Sequence, residues 1–448
     1  MKPNIYLDNS ATTPVRAQVF AVPSKPSFGN PSSIHHVGRR SKAAIEIARQ
    51  KVANLFGVKA KEIYFTPSAT YSNNVALLGR ARFIEQNGFG RHIITTGIEH
   101  SSALAPVKFL ETQGWKVTIL DVDSEGFVDE RELVKAITTD TSIISIMWAN
   151  NEVGTLQPIE RLAQIAKAHN VFFHTDAVQA AGKVKIDLSK VAADTLSITG
   201  HKLHAPKGIG ALFIREGVQI LPIIFGGGQE GGLFPGTESV SEIVALGEAA
   251  EMAHADLEVN QEHLRKLQKI LSDKLAALPN VNLTGAMDPT KRIPGHVSVV
   301  VRGAVGEEIV EAADERGISI SSVSACSGRH PSHVLKHMGY THEEGLGSAR
   351  ITASVLNSVE ECELAATILS EIFVGASTLN AKSNTATNIL DFKPISSTTS
   401  KSAPPKSGPS NLATPNLAPS NLATPNLAIP NLAPSNLATP NLATPNLA

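Results

Sequence analysis

Residues 194–214 read DTLSITGHKLHAPKGIGALFI, and residues 171–183 read VFFHTDAVQAAGK. In each, a short apolar run ends on polar groups: Thr199, Gly200, His201 and Lys202 in one, His174, Thr175 and Asp176 in the other. Short apolar runs bounded by polar residues and glycine read as buried strands, so both sets of polar residues fall at strand ends. A lysine in that place can be held in a pocket and partly desolvated, which lowers its pKa and favours imine formation. Spacing alone fits an ordinary surface lysine equally well, because lysine is mostly exposed. A buried carboxylate at the other strand end needs a cationic partner. A protonated pyridine nitrogen would serve, and the pairing would strengthen that ring as an electron sink. A helix N-cap is the other common use of an aspartate so placed.

Outward from these segments the same grammar repeats. Apolar runs occur at 62–65, 92–95, 116–120 and 142–147. Helical stretches lie between them. Residues 39–56 put Ile45, Ala48, Val52, Leu55 and Phe56 on one face, and 162–169 is a second example. Strands alternating with helices imply an α/β fold with a largely parallel sheet covered on both faces. Ligands in such sheets sit at the carboxyl ends of the strands. Residues 65–74, FTPSATYSNN, place small hydroxylated residues after a strand and at a helix start. Backbone N–H groups and the helix dipole there make a phosphate site without a Walker lysine; a capped helix with no ligand gives the same pattern. No G-x-G-x-x-G follows a strand, which counts against a dinucleotide fold. From about 260 to 373 a second, α+β block follows, with a strand at 293–302 and a helix at 358–373.

The chain has 448 residues, which sets an expectation of at least two domains. Its 40 basic and 41 acidic residues give a formal charge of −1, with no basic excess to suggest nucleic acid. The start, MKPNIYLDNS, lacks a signal-peptide core, and no apolar run of about 18 residues suggests a membrane span. With only Cys326 and Cys362, no disulfide framework is expected and a reducing, cytoplasmic setting is. His35, His36, His330, His333 and His337 show no ligand spacing supported by Cys, Asp or Glu, so no metal site is expected. Near residue 374 the composition turns to Ser, Thr, Pro, Asn and Ala, and from Ser410 a five-residue unit repeats (SNLAT, PNLAP). A pentapeptide solenoid has a small residue where Pro or Ser stands here, and Pro lacks the N–H a stacked coil needs. The tail, 374–448, is therefore expected to be disordered.

Lysine, aspartate and phosphate cradle are the three attachments that pyridoxal phosphate requires. Nine motifs then carry a family resemblance: YLDNSATTP (6–14), FGNPSSIHHVGR (28–39), SATYSNN (68–74), IEHSSAL (98–104), NNEVGTLQPI (150–159), HTDAVQAAGK (174–183), TGHKLHAPKGIGAL (199–212), GGGQE…PGTES (226–239) and SACSGRHPSHVL (324–335). The chain resembles a cysteine desulfurase of the NifS/IscS type, in the class V branch of the fold-type-I aminotransferases. That resemblance implies a large domain, 16–258, built on a mainly parallel seven-stranded sheet, and a smaller α+β domain, 259–373, joined by the N-terminal segment 1–15. It implies pyridoxal 5'-phosphate as cofactor, L-cysteine as substrate, a homodimer, and a sulfur acceptor such as an iron–sulfur scaffold.

By position, the resemblance makes Lys202 the residue that holds the cofactor and later moves the substrate α-proton. Asp176 pairs with the pyridine nitrogen, and His100 stacks on the ring and acts in proton transfer. Gln179 and Asn151 hydrogen-bond the phenolic oxygen and the substrate. Ala69, Thr70, Thr199 and His201 bind phosphate, with Thr237 reaching over from a second subunit. Arg350 takes the substrate carboxylate as a bidentate pair. Cys326, among Gly and Ser neighbours, is the thiolate that receives sulfur as a persulfide; Cys362, on a helical pattern, is a buried thiol.

The chain departs from the family in four places. Its first helix is cut to VRAQVFAVPSKPS with Pro23 and Pro26, and Tyr71 replaces a glutamate. Gly231 and Phe234 replace arginines, with Ser239 for an asparagine. The loop after Cys326 reaches Pro331 about two residues early. A weakened paralogue serving as a sulfur-transfer partner, a selenocysteine lyase and another class V aminotransferase remain the alternatives.

Overall fold

Twelve strands account for the apolar runs in the computed structural model, which describes residues 3–21, 28–322 and 332–387, with side chains to residue 376. In chain order they are β1 Ile5–Tyr6, β2 Ile63–Thr66, β3 His92–Thr96, β4 Lys116–Leu120, β5 Thr141–Ser145, β6 Phe172–Asp176, β7 Thr195–Thr199, β8 Gly210–Ile214, β9 Val281–Leu283, β10 His296–Val301, β11 Ile318–Ser319 and β12 Ser348–Thr352. Seven form one sheet in the order β2-β8-β7-β6-β5-β3-β4. Strands β3 to β7 pair in parallel, and only β8 runs against its neighbours β2 and β7. Every residue of β3, β6, β7 and β8 is buried, and so is all of β5 but Ser142, as expected of strands covered on both faces.

Within the seven-stranded sheet, β8 is the strand that sequence reading passes over, because it begins in a glycine-rich stretch. Gly210 has a structural cause: a Cβ there would meet the Ile198 carbonyl oxygen at 2.6 Å and the Thr66 hydroxyl at 3.0 Å. The expected runs match their strands to within three residues at either end, where hydrogen bonding rather than hydropathy sets the limit, while the short strands β1, β9, β11 and β12 have no expected counterpart.

Helix His36–Phe56 buries the expected stripe, Ile45, Ala48, Val52, Leu55 and Phe56. It stops at Gly57, left-handed at φ 66°, whose N–H returns to Ala53 and Asn54 carbonyls. It packs against helix Val240–Ala255 so closely that a Cβ on Gly247 would stand 2.7 Å from the Ala48 Cα. Gly247→Val should destabilise the protein by about 1–3 kcal/mol, because neither backbone can yield. A lowered midpoint in calorimetric melting checks this, with cofactor absorbance retained.

A second apolar cluster surrounds the antiparallel sheet β12-β10-β9 and helices Leu257–Ala276 and Val359–Thr387. It holds Cys362, fully buried, with burial pushing its thiol up to about 12. The last helix continues past the composition break at 374, since adding a residue to a formed helix costs far less than starting one. Strand β1 pairs in parallel with β11, and Asn9 Nδ2 donates to the Thr352 carbonyl at 2.8 Å, tying the N-terminal segment to this region. Residues up to Leu390 group as one compact unit. The residue 258/259 boundary read from sequence falls at the start of helix Leu257–Ala276. No helix among the described residues is long and apolar enough to cross a membrane. Pro23, Pro26, Cys326, His330, Pro331 and the tail from 388 lie outside the described residues.

Candidate active site

A cavity of about 290 Å³ opens at the carboxyl ends of β2, β3, β5, β6 and β7. Its wall includes Ala69, Thr70, His100, Asn151, Asp176, Gln179, Thr199, His201 and Lys202, all singled out in the sequence. Thr237 is exposed and is not in this wall, and Arg350 stands behind Asn151.

Asp176 ends β6 and is 5% exposed. It accepts the Val178 N–H at 3.0 Å, as an Asx turn rather than a helix cap, and Asn73 Nδ2 at 2.8 Å. Asn73 is fully buried, and its second amide hydrogen goes to Ser102 Oγ at 2.9 Å. With both hydrogens committed, Asn73 Oδ1 must accept from His174 Nε2 at 3.1 Å. Burial holds His174 down to about 3, so it stays neutral. Ser102 Oγ then faces His100 Nδ1 at 2.8 Å, while the Ser102 N–H donates to that same nitrogen at 3.2 Å. Nδ1 is therefore an acceptor, and the His100 proton resides on Nε2. One amide thus orients both the carboxylate and the imidazole. Asn73→Ala should cost roughly 10-fold in kcat/KM, since a hydrogen bond to a charged group is worth about 1.5–3 kcal/mol. Steady-state kinetics check it.

Lys202 follows β7 on a single 3₁₀ turn. Its Nζ donates to the carbonyls of Ser10 and, at 2.6 Å, Ala11. Burial and the Arg350 charge lower its pKa to about 8. His201 is lowered to about 4, mainly by burial, and so is neutral beside it. Glu99, next to His100 in sequence and fully buried behind the wall, is pushed up to about 8 by burial and is uncharged at neutral pH. Arg350 donates to the Asn151 carbonyl at 3.0 Å and pairs with Asp8 Oδ1 at 2.8 Å.

Helix Ala69–Asn74 begins at Ser68 and continues through a π turn, Val75–Gly79, into Arg80–Gln86. Its first-turn N–H groups have no intrahelical acceptor by construction, and Ala69 and Thr70 line the cavity. The donor set fits pyridoxal phosphate: a helix start for phosphate, a buried carboxylate for the ring nitrogen, and a lysine of lowered basicity. Among the described residues no three His, Cys, Asp or Glu side chains form a metal cluster; His333 and His337 turn instead to the Glu99 carbonyl and Asp121.

Sequence reading left out Ser10, Ala11, Ser68, Ser102, Met147 and Val178 of the wall, and Asn73, Lys183 and Asp8 behind it. Most of these stand inside quoted motifs, so the motifs were the available signal. Of the departures, Phe234 is buried with Val75, Leu212 and Ile214, and Gly231 takes φ 66°. Tyr71 is exposed, and the first helix, Ala17–Ala21, has five residues.

The class-V aminotransferase family model matches residues 5–364. A cysteine desulfurase IscS of Methanosarcina thermophila is 44% identical over 373 residues, covering 82% of this chain and 91% of that protein. Another, from Dictyoglomus turgidum, is 41% identical over 378 residues, covering 83% and 95%. Among solved structures, a NifS-like protein superposes with a TM-score of 0.77 at 37% identity, over 84% of this chain and all of that one. SspA in complex with cysteine gives 0.68 at 34%, over 78% and 99%.

Proposed function

The chain belongs to the class-V aminotransferase family, and from that premise we propose how its cavity works. The protein is a pyridoxal-phosphate-dependent cysteine desulfurase. The observation that carries the site assignment is the meeting of Lys202, Asp176 and His100 in one cavity at the strand ends.

When bound, the cofactor supplies an electron sink for charge developing on the substrate's α-carbon. Lys202 holds it and moves the α-proton through Nζ. Asp176, oriented by the Asn73 and Val178 hydrogen bonds, would pair with the ring nitrogen. His100, with its proton on Nε2, would lie against the ring and could give that proton. Gln179 and Asn151 donate toward the phenolic oxygen and the substrate. Ala69, Thr70, Thr199 and His201 take the phosphate. Arg350 receives the substrate carboxylate, which must compete with Asp8 for the guanidinium. The Cys326 thiolate attacks the substrate sulfur, the sulfur–carbon bond breaks toward carbon, and that carbon takes up a proton. The products are L-alanine and a Cys326 persulfide, so all atoms of cysteine and thiol are accounted for.

The finer reading is a cytoplasmic homodimer in which a second copy brings Thr237 to the phosphate. Exposed Phe20, Phe28 and Ile34 supply an apolar surface for that pairing. Residues 16–258 act as the cofactor domain and 259–373 as the small domain, and an iron–sulfur scaffold is the sulfur acceptor. The test is incubation with L-cysteine and a thiol reductant. Alanine and sulfide in equal amounts are expected. Release of a keto acid, or of neither product, sinks the reading. L-Selenocysteine run in parallel separates the lyase alternative by its rate.

A further inference from the structure

Lys183 is a half-buried residue whose amine end is shielded from water, and the mechanism above does not use it. It lies at the end of the turn after β6, its backbone fixed by Ala180 and by Gln261 Nε2, which donates to its carbonyl at 2.9 Å. Burial first, then the charges of Lys202 and Arg350, lower it to about 7. No salt bridge among the described residues includes it. Its Nζ donates to Gln179 Oε1 at 3.1 Å. On its other side is a cavity of about 40 Å³, whose wall also carries Asn9, Arg16 and Lys202.

A buried ammonium with no carboxylate is costly, and a hydrophobic residue of the same length would pack there without that cost. The arrangement makes sense through Gln179. That side chain, 3% exposed, lines the candidate active site. Its Nε2 donates one hydrogen to the Ser10 carbonyl at 2.9 Å. The second hydrogen is left for the cavity. If the amide were turned over, Oε1 would face the Ser10 carbonyl and the NH2 would face the Lys183 donor. Two hydrogen bonds would become two repulsions.

We propose that Lys183 is a positioning residue: by holding Gln179 Oε1 it keeps the Gln179 NH2 group directed at the cofactor's phenolic oxygen. The inference rests on the reading of Gln179 given above. The groups that share Lys183's field are Lys202 and Arg350, which act on it, and His201, His204 and His296, which feel its charge.

A hydrogen bond donated to the phenolic oxygen stabilises its deprotonated form. Losing it raises the pH midpoint of the bound cofactor's visible absorption. The experiment is therefore a spectrophotometric pH titration of the holoenzyme, with cofactor retention after dialysis as a second readout. Gln179→Ala should raise the midpoint by about one pH unit. Lys183→Met should raise it in the same direction with the cofactor retained, and Lys183→Arg, which keeps a donor, should restore it. The double variant should match Gln179→Ala alone. If Gln179→Ala shifts the midpoint but Lys183→Met does not, the proposal fails while the Gln179 reading stands. If the two shifts add, Lys183 acts by charge rather than through Gln179, and the proposal fails. If Gln179→Ala moves nothing, the Gln179 reading itself is wrong. Lys183→Ala carries the same titration should the Met variant not fold.

Discussion

Lys202→Ala is expected to lower kcat/KM for L-cysteine by roughly 10³-fold or more, because in the proposed mechanism one change removes the covalent anchor and the group that moves the α-proton. The fold survives it. Among the described residues Lys202 Nζ donates only to the Ser10 and Ala11 carbonyls, and Ser10 keeps its bond from Gln179 Nε2. What is lost is an amine tuned for this work: burial and Arg350 bring it from its ordinary 10.5 to about 8. A neutral fraction is then available near physiological pH, where an exposed lysine would have almost none. The same shift has a sign in stability. Between about 8 and 10.5 the unfolded chain holds a proton on this lysine that the folded chain has released. Stability of the cofactor-free protein therefore rises with pH across that window on account of Lys202, and below it the buried charge is a standing cost. In Lys202→Ala that rise is diminished. Denaturant melts of the cofactor-free wild type and variant at several pH values test this. A steeper rise in the variant would contradict the assignment, as would sulfide release at the wild-type rate.

The strands and their ends were legible because buried parallel strands must be continuous apolar runs, and ligands must lie where such strands finish. Asp176 and Lys202 each follow such a run, and both line the cavity. Strand β8 was not legible, because a glycine at its start reads as a turn until the Ile198 carbonyl beside it is known. The partners of the site residues were also hidden. Asn73 reaches Asp176 across 103 positions, and Asp8 reaches Arg350 across 342. No periodicity records pairings of that length. Lys183 stood inside a quoted motif, yet its burial depends on Leu203 and helix Val240–Ala255 closing over Gly182, which local sequence does not express.

Cys326→Ala is expected to keep the cofactor's visible absorption and its change on adding L-cysteine, while sulfide release falls by roughly 10³-fold or more. The two outcomes separate because the variant leaves every wall residue of the cavity in place and removes only the sulfur nucleophile. The flanks of the segment that carries Cys326 are bound to the site. Ser321 and Arg350 exchange backbone hydrogen bonds, at 2.8 and 3.2 Å, and Arg350 in turn holds the Asn151 carbonyl. On the far flank Ser332 Oγ donates to Glu152, and His333 Nε2 donates to the carbonyl of Glu99, the residue before His100. The second cysteine supplies the control. Cys362 is fully buried and its thiol is pushed up to about 12, so it holds no useful thiolate at neutral pH. Cys362→Ala should leave turnover within about two-fold, and should cost stability through the cavity it opens. Sulfide release from Cys326→Ala at the wild-type rate would show that another group accepts the sulfur. Loss of release in Cys362→Ala, with the fold intact, would assign that acceptor to the core.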